Sequence, residues 1–495
     1  MNQVIGELVR RSPDRLRADK GRVITQLFIP GQEGFDHQES RSSKVMERLL
    51  ALDDDEVQSA FVDVVARFEG RHPDIVGTFG RHADELSYRL DPDVQLSPAR
   101  RLLFGAAFTS EYAIEGAALC NPSMVAHPDQ AGLPAGCGRF VMSVRGIGEG
   151  HRSSIGFRTG VIDHNGDVYL SPPPPFAVTG QTGLTMFDAM TFRGELRRLR
   201  AWGEVAEYIL GPLGPQFSLV KLEARLRQLE GHPSTGRQGM RIINLIRRFA
   251  ERTYAASFDA ATPLDQRVLI PAMAAEVNGM EDARFVRLEQ DDGSVSYFAT
   301  YTAYDGKDIS QQLLETTDFL NFTSTPLVGP AAANKGLALF PRRINGRFVA
   351  LARSDRESNT IATSPNPHHW GDTSPCQLPT RSWELLQLGN CGSPIQTEAG
   401  WLVLTHGVGP MRTYHIGALL LDSEDPTRIV GQLREPLLSP AADEQDGYVP
   451  NVVYSCGAMV HAGFLVIPYG IGDAAIRFAT VPLDALIGVL TDRNA

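Results

Sequence analysis

Apolar positions recur at two different periods along this chain of 495 residues. Between residues 42 and 70, Val57, Phe61, Val64, Val65 and Phe68 fall at helical spacing and Gly70 is placed to stop the run, which predicts a helix and a helical region continuing to about residue 115. A second helical zone is predicted over 187–255. There Leu219, Leu222, Leu226 and Leu229 form one stripe and Ile242, Leu245, Ile246 and Phe249 another, and such stripes are core faces. The remaining sequence reads as short strands broken by turns, and it repeats. The repeats are GRFVMSVRG with SSIGFRTGVID, EDARFVRLEQDDGSVSYFATYTAYDG, KGLALFPRRINGRFVALARSDRESNTIATS, GSPIQTEAGWLVLTHGVGPMRTYHIGALLLD, and PNVVYSCGAMVHAGFLVIPYGIGDAAIRFATVPLD. Second strands start near 296, 347, 401 and 464, a spacing of about 50 to 60 residues that suits four-stranded propeller blades. The expected fold is mainly β, a five-bladed β-propeller over 116–490. An N-terminal helical extension over 1–115 precedes it, and a helical insertion over 187–255 separates the first two blades.

Composition narrows the partners. There are 58 acidic and 47 basic side chains, a formal net charge of −11, which argues against broad binding to nucleic acid or to an anionic membrane surface. The segment MNQVIGELVRRSPDRLRADK has no long apolar stretch before its charges, and no apolar run is long enough to cross a bilayer. The five cysteines, Cys120, Cys137, Cys376, Cys391 and Cys456, lack the close pairing of a zinc or redox motif. A cytoplasmic protein with no metal is expected.

In a propeller the inner strands line a shared channel, so polar groups at equivalent ends of successive repeats converge although they are far apart in sequence. Those residues are Asn121, Arg145, Glu281, Asp282, Arg353, Asp355, His406, Tyr414, Glu444, Asn451 and Asp473. The adjacent carboxylates Glu281 and Asp282, in NGMEDARFV, are unusual at the start of a buried strand. Alternation along a strand sends only one of them inward. A salt bridge to Arg284 or Arg287 would account for them without any catalytic role.

NGMEDARFV followed by YTAYDG, then NKGLALFPRRI, RSDRESNTI with HHW, GWLVLTHGVGPMRTYHIGALLLDSEDP, and GYVPNVVYSCG with PYGIGD, in that order, resembles glycoside hydrolase family 130. That family comprises β-mannoside phosphorylases and some β-mannosidases on a five-bladed propeller. The resemblance runs from about 118 to 490 and is interrupted by the helical insertion. It implies an inverting phosphorylase that makes α-mannose 1-phosphate from a β-mannoside oligosaccharide, with inorganic phosphate as co-substrate and no cofactor. It also implies that Asp282 is the acid, its proton relayed through a sugar hydroxyl.

A phosphorylase needs a basic cradle for its anion, whereas a hydrolase needs a carboxylate base to activate water. The cradle is sought among Lys335, Arg342, Arg343, Arg353, His406 and Arg412, with one of Arg342 and Arg343 expected to be a solvated surface charge. The sequence departs from the shorter phosphorylases at Gln387 and Ala283, where a lysine and a proline are usual, and the lost cation weakens the case for phosphorolysis. Glu444 or Asp473 would then serve as base for water. A carbohydrate-binding propeller without catalysis is a further alternative. RGIGEGHRSS reads as a hairpin tip near the sugar site, and Trp370 either stacks on a sugar or packs at a blade edge. The helical additions are expected to rim the site or to form the interface of a homo-oligomer.

Overall fold

The computed structural model describes residues 6–30, 41–172, 174–183, 185–232 and 235–492. Two compact units are present, one over Asp19–Gly116 with Pro174–Val178, the other comprising the rest of the chain.

The smaller unit is helical. Asp53 accepts from the Glu56 backbone N–H while the Glu56 side chain accepts from that of Asp53. This capping box starts a new helix, Asp54–Phe68, so the run predicted over 42–70 is two helices, the first being Arg41–Ala51. Ile75–Leu86 and Pro98–Ala107 follow, the latter capped by Ser97 with proline in its first turn. Met46, Ala83, Leu86, Phe104 and Phe108 form its core. The strands Val23–Leu27 and Thr109–Ala113 pair antiparallel beside it.

The larger unit is mainly β and runs as successive antiparallel meanders. The first is Ala118–Ala126, Gly138–Ile147, Ser153–Ile162 and Val168–Leu170. The second is Gly279–Glu289, Val295–Tyr304, Ile309–Thr316 and Asn321–Pro326. The third spans Ala338–Gln377, the fourth Gln387–Gln432 and the last Val453–Pro482. Residues 10–17 were expected in the helical extension. Instead Arg10–Arg11 and Leu16–Arg17 pair with the last strand, Ala475–Pro482, and complete the fifth meander.

Apolar side chains hold each meander to the next. Phe157 packs on Phe285, Phe319 and Phe322 between the first and second. Leu288 and Phe298 meet Leu339 and Phe348, then Phe340 and Val349 meet Trp401 and Leu419. Leu402 and Ile416 meet Leu465 and Ile467, and Val466 and Phe478 return to Phe140 and Met142 of the first. Burial on both faces explains why the inner strands read as nearly continuous apolar runs.

The insertion forms four helices, Ala189–Arg198, Glu204–Leu210, Leu219–Glu230 and Arg237–Ala250, among the described residues. Leu222, Leu226, Ile246 and Phe249 of the predicted stripes lie in their common core. Tyr254–Ser257 ties the insertion to the outer edge of the second meander by pairing with Asn321–Pro326. None of the described helices is long and apolar enough to cross a membrane.

Adjacent inner strands approach closely. Ser123 bridges to Gly457, the Cys456 N–H donates to the Pro122 carbonyl at 2.8 Å, and a Cβ on Gly392 would stand 2.2 Å from the Cys456 carbonyl oxygen. Gly392 also has φ 119°, which side chains rarely adopt. Gly392→Ala is expected to cost about 3 kcal/mol from clash and backbone strain combined. Denaturant unfolding would measure it, and unchanged stability would contradict the close approach.

Candidate active site

The site begins with a break in strand regularity. Glu281 pairs with Thr302 and Arg284 with Thr300, so Asp282 and Ala283 together face the single residue Tyr301. This bulge places Asp282 at φ 57°, a conformation that aspartate tolerates better than most residues. The first meander repeats the device: Cys120 pairs with Arg145 and Ser123 with Ser143, leaving Asn121 at φ 49°. The two bulges meet, and Asn121 Nδ2 donates to Asp282 Oδ1 at 2.5 Å. Strict alternation would have turned one carboxylate away. The extra residue cancels it, and Glu281 and Asp282 reach the same guanidinium.

That guanidinium is Arg145. Its Nη2 donates to Glu281 Oε1 at 2.7 Å, its Nη1 to Asp282 Oδ1 at 3.2 Å, and its Nε to Ser153 Oγ at 2.9 Å. Lys335 Nζ takes the other oxygen of Glu281 at 2.8 Å. The ion pairs anticipated within the strand are absent. Arg284 Nη1 donates to the backbone carbonyl of Asp282 and its Nη2 to the Tyr454 hydroxyl, while Arg287 lies beside Glu289. Burial pushes the Asp282 carboxyl up, but Arg145, Lys335, Arg284 and the Asn121 amide outweigh it and bring it down to about 2.

A second group faces this pair. His406, on Gly400–Val408, donates from Nδ1 to the Asn390 carbonyl at 3.1 Å, which leaves Nε2 to accept from Arg353 Nη1 at 3.0 Å. Burial, followed by the charges of Arg353 and Arg284, holds its imidazole well below the usual histidine range, so it is neutral. The ring lies parallel to Tyr414 and edge-on to Tyr454. Gly389 makes this layer possible: a Cβ there would stand 2.5 Å from His406 and 2.9 Å from Arg353.

Asp473 sits at φ 49° in the turn between Phe464–Ile471 and Ala475–Pro482. Burial and the neighbouring charge of Asp282 raise its carboxyl to about 6, against the opposing pull of Arg145 and Arg412. Arg412 is exposed, at φ 55°. Asn451 contributes backbone, its carbonyl accepting from the Tyr414 N–H at 2.9 Å.

Other expected residues are committed elsewhere. Glu444 is fully buried, accepting from Tyr469 Oη, Arg477 Nη1 and the Ala441 N–H at 2.7 to 3.0 Å, which leaves it no free oxygen for a sugar or a water. Asp355 folds its own turn, taking the backbone N–H groups of Glu357 and Ser358 and the Ser358 hydroxyl. Arg343 pairs with Asp291 at 3.1 Å and lies over Phe348, while Arg342 lies over Trp401. Both arginines line a different cavity of about 650 Å³ beside the far ends of the inner strands, so neither is an isolated surface charge. Trp370 is wholly buried and donates to the Pro367 carbonyl, leaving no face for a sugar. At the tip of RGIGEGHRSS, His151 contacts the Tyr448 hydroxyl.

The structure therefore gathers Asn121, Arg145, Glu281, Asp282, Lys335, Arg353, His406, Tyr414 and Asp473. It adds Arg284, Tyr454 and Ser153, which sequence reading did not nominate. Repeat position held the signal for Tyr454: YSCG in the last repeat aligns with GNCG in the fourth, and places Tyr454 level with Gly389.

A family profile described as beta-1,4-mannooligosaccharide phosphorylase matches residues 260–492. A 1,2-beta-oligomannan phosphorylase of Thermoanaerobacter sp. (strain X514) is 34% identical over 236 residues, which are 46% of this chain and 78% of that protein. A beta-1,2-mannobiose phosphorylase of the same organism is 32% identical over 234 residues, 46% of this chain and 76% of that one. The solved structure of beta-1,2-mannobiose phosphorylase from Listeria innocua, in complex with beta-1,2-mannobiose, aligns with 77% of this chain and 93% of its own. Its identity is 21% and its TM-score 0.45, so the architecture rests on the strand pairing given above.

The raised carboxyl of Asp473 carries a sign. The folded state binds that proton more tightly than the unfolded chain, so the associated stability is present at low pH and is lost as pH rises through about 6. Asp473→Asn, which keeps the left-handed turn, is expected to raise the melting temperature at pH 8 and leave it unchanged near pH 3. An equal shift at both pH values would contradict this.

Proposed function

The chain belongs to glycoside hydrolase family 130, and we propose that it cleaves β-mannosides with inorganic phosphate, with inversion, to give α-mannose 1-phosphate. We read the five meanders as the blades of a five-bladed propeller, supported by the succession of apolar contacts that leads from each meander to the next and from the last to the first.

The observation that carries the phosphorolytic reading is charge. Arg145, Arg284, Lys335, Arg353 and Arg412 bring five positive charges to a site whose acidic groups are the three carboxylates of Glu281, Asp282 and Asp473. The excess of two suits a phosphate dianion, which guanidinium groups bind in forked geometry. It remains although Gln387 and Ala283 replace residues usual in the shorter enzymes. Arg353, poised on neutral His406, together with Lys335 and the rim residue Arg412, is the proposed cradle.

In a single displacement a phosphate oxygen attacks the anomeric carbon from the face opposite the leaving oxygen. The carbon–oxygen bond breaks, its electron pair stays on the leaving sugar, and the proton of Asp282 reaches that oxygen through a hydroxyl of the mannosyl unit. Asp282 is ionised among its cationic neighbours, so it must gain a proton before it can give one. Phosphate docking offsets the positive charge that holds the carboxyl low. The acid thus takes up a proton from solvent when the nucleophile is in place, and the proton that hydrogen phosphate loses on forming its bond to the anomeric carbon goes back to solvent.

Hydrolysis is the second reading, and Asp473 is the observation that favours it, since Glu444 is engaged elsewhere and Asp473 is the remaining base. A binding module without catalysis would have no use for paired carboxylates held beneath a cationic cluster. Incubating a panel of β-mannosides with and without phosphate separates the readings. Phosphate-dependent release of α-mannose 1-phosphate is expected, with Asp282→Asn about 10²–10⁴-fold slower. Free mannose regardless of phosphate would establish the hydrolase, and no release from any substrate would leave the binding module.

A further inference from the structure

Beside the catalytic strand lies a second cavity, of about 590 Å³, which the displacement described above does not use. Its wall comes from the insertion: Glu195 and Arg198 on Ala189–Arg198, and Arg252 just beyond Arg237–Ala250. Its floor is formed by residues of the segment 327–334, by Asp305 and Asp308 of a hairpin turn, and by the start of the strand that follows at Ile309. Strand register fixes which end of the sheet this is. Tyr304 pairs with Gly279, so the turn that follows Tyr304 stands at the same end as Glu281 and Asp282. Asn334 lines the cavity, and the next residue, Lys335, donates to Glu281. The cavity therefore adjoins the site.

We propose that this cavity is a sugar-binding subsite, built by the helical insertion, that holds the distal units of an oligosaccharide whose cleaved bond lies at Asp282. The inference rests on the phosphorolytic reading and extends it to substrate length. Volume is the first argument, because the cavity falls within the range of about 300–1,000 Å³ usual for small-molecule sites.

Charge is the second. Glu195, Asp305 and Asp308 stand against Arg198 and Arg252, so the cavity lacks the cation excess of the catalytic site and suits a neutral ligand. The polar groups are held in place: Arg198 grips Glu195 through Nε and Nη2 at 2.7 and 2.8 Å, Arg252 Nη1 lies 3.7 Å from the same carboxylate, and Arg356 Nε fixes Asn334 at 2.8 Å. Arg252 Nε is buried with no hydrogen-bond partner among the described residues. Preset planar donors and acceptors of this kind pair with neighbouring hydroxyls, while Leu327, Val328 and Pro330 offer an apolar floor for the C–H face of a sugar ring. The family profile begins at residue 260, so the helical wall lies outside the matched region.

The test compares kcat/KM for β-mannobiose, β-mannotriose and β-mannotetraose of the linkage cleaved, at saturating phosphate. The wild-type protein is expected to favour the longer substrates. Arg252→Met is expected to cut that preference about tenfold, the effect of one lost hydrogen bond to a charged group, while mannobiose is turned over as before. Asp308→Ala, on an exposed turn and so harmless to folding, should act in the same sense. Equal wild-type rates on all lengths, or variants that slow mannobiose as much as mannotetraose, would overturn the subsite alone. Absence of turnover on every β-mannoside would overturn the catalytic reading, and the subsite with it.

Discussion

Arg145 is the contact on which the site depends. It comes from the first meander and binds two carboxylates of the second, so it ties neighbouring meanders together and at once brings down the carboxyl pKa of Asp282, the proposed acid. It can do both only because the strand is irregular where it reaches. Two residues facing one at Asp282 turn adjacent side chains to the same side, and the matching bulge at Asn121 brings a donor to the same carboxylate. A regular strand would have presented one carboxylate to Arg145 and buried the other against apolar neighbours, where an unpaired charge is costly.

The cationic surroundings carry the proposed chemistry. Charges that hold Asp282 ionised also form the proposed phosphate cradle, and on that reading binding the nucleophile and protonating the acid are coupled events. Neutral His406 supports this by positioning Arg353 without adding charge. Asp473 shows the opposite environment, a carboxyl driven up by burial and by Asp282. The insertion stands to one side of this charge balance, its Arg198 paired with its own Glu195.

Much of this was legible in the sequence. The apolar periods separated helical from strand-like regions, and the repeat nominated Asn121, Arg145, Asp282, Lys335, Arg353, His406 and Asp473, which the structure gathers. Residue type and repeat position carry no information on bulges, which is why alternation admitted only one of Glu281 and Asp282 to the site. Arg343 and Asp355 were nominated because they lie in repeat motifs, but a motif spans a whole hairpin and does not say which end of it a side chain occupies. Glu444 shows a further limit: a buried carboxylate serving Arg477 and Tyr469 reads the same as one serving a substrate. The two-residue strands at Arg10 and Leu16 are too short to show any period, and the break at Asp53 was hidden by apolar residues that continue in phase across it.

The most direct test of the coupling between cradle and acid is a carboxyl carbon NMR titration of Asp282, assigned by its loss in Asp282→Asn, with and without saturating inorganic phosphate. Phosphate is expected to raise an ionisation that lies near pH 2 without it. An Asp282 that titrates as an ordinary aspartate without phosphate, or that is indifferent to phosphate, would contradict the account.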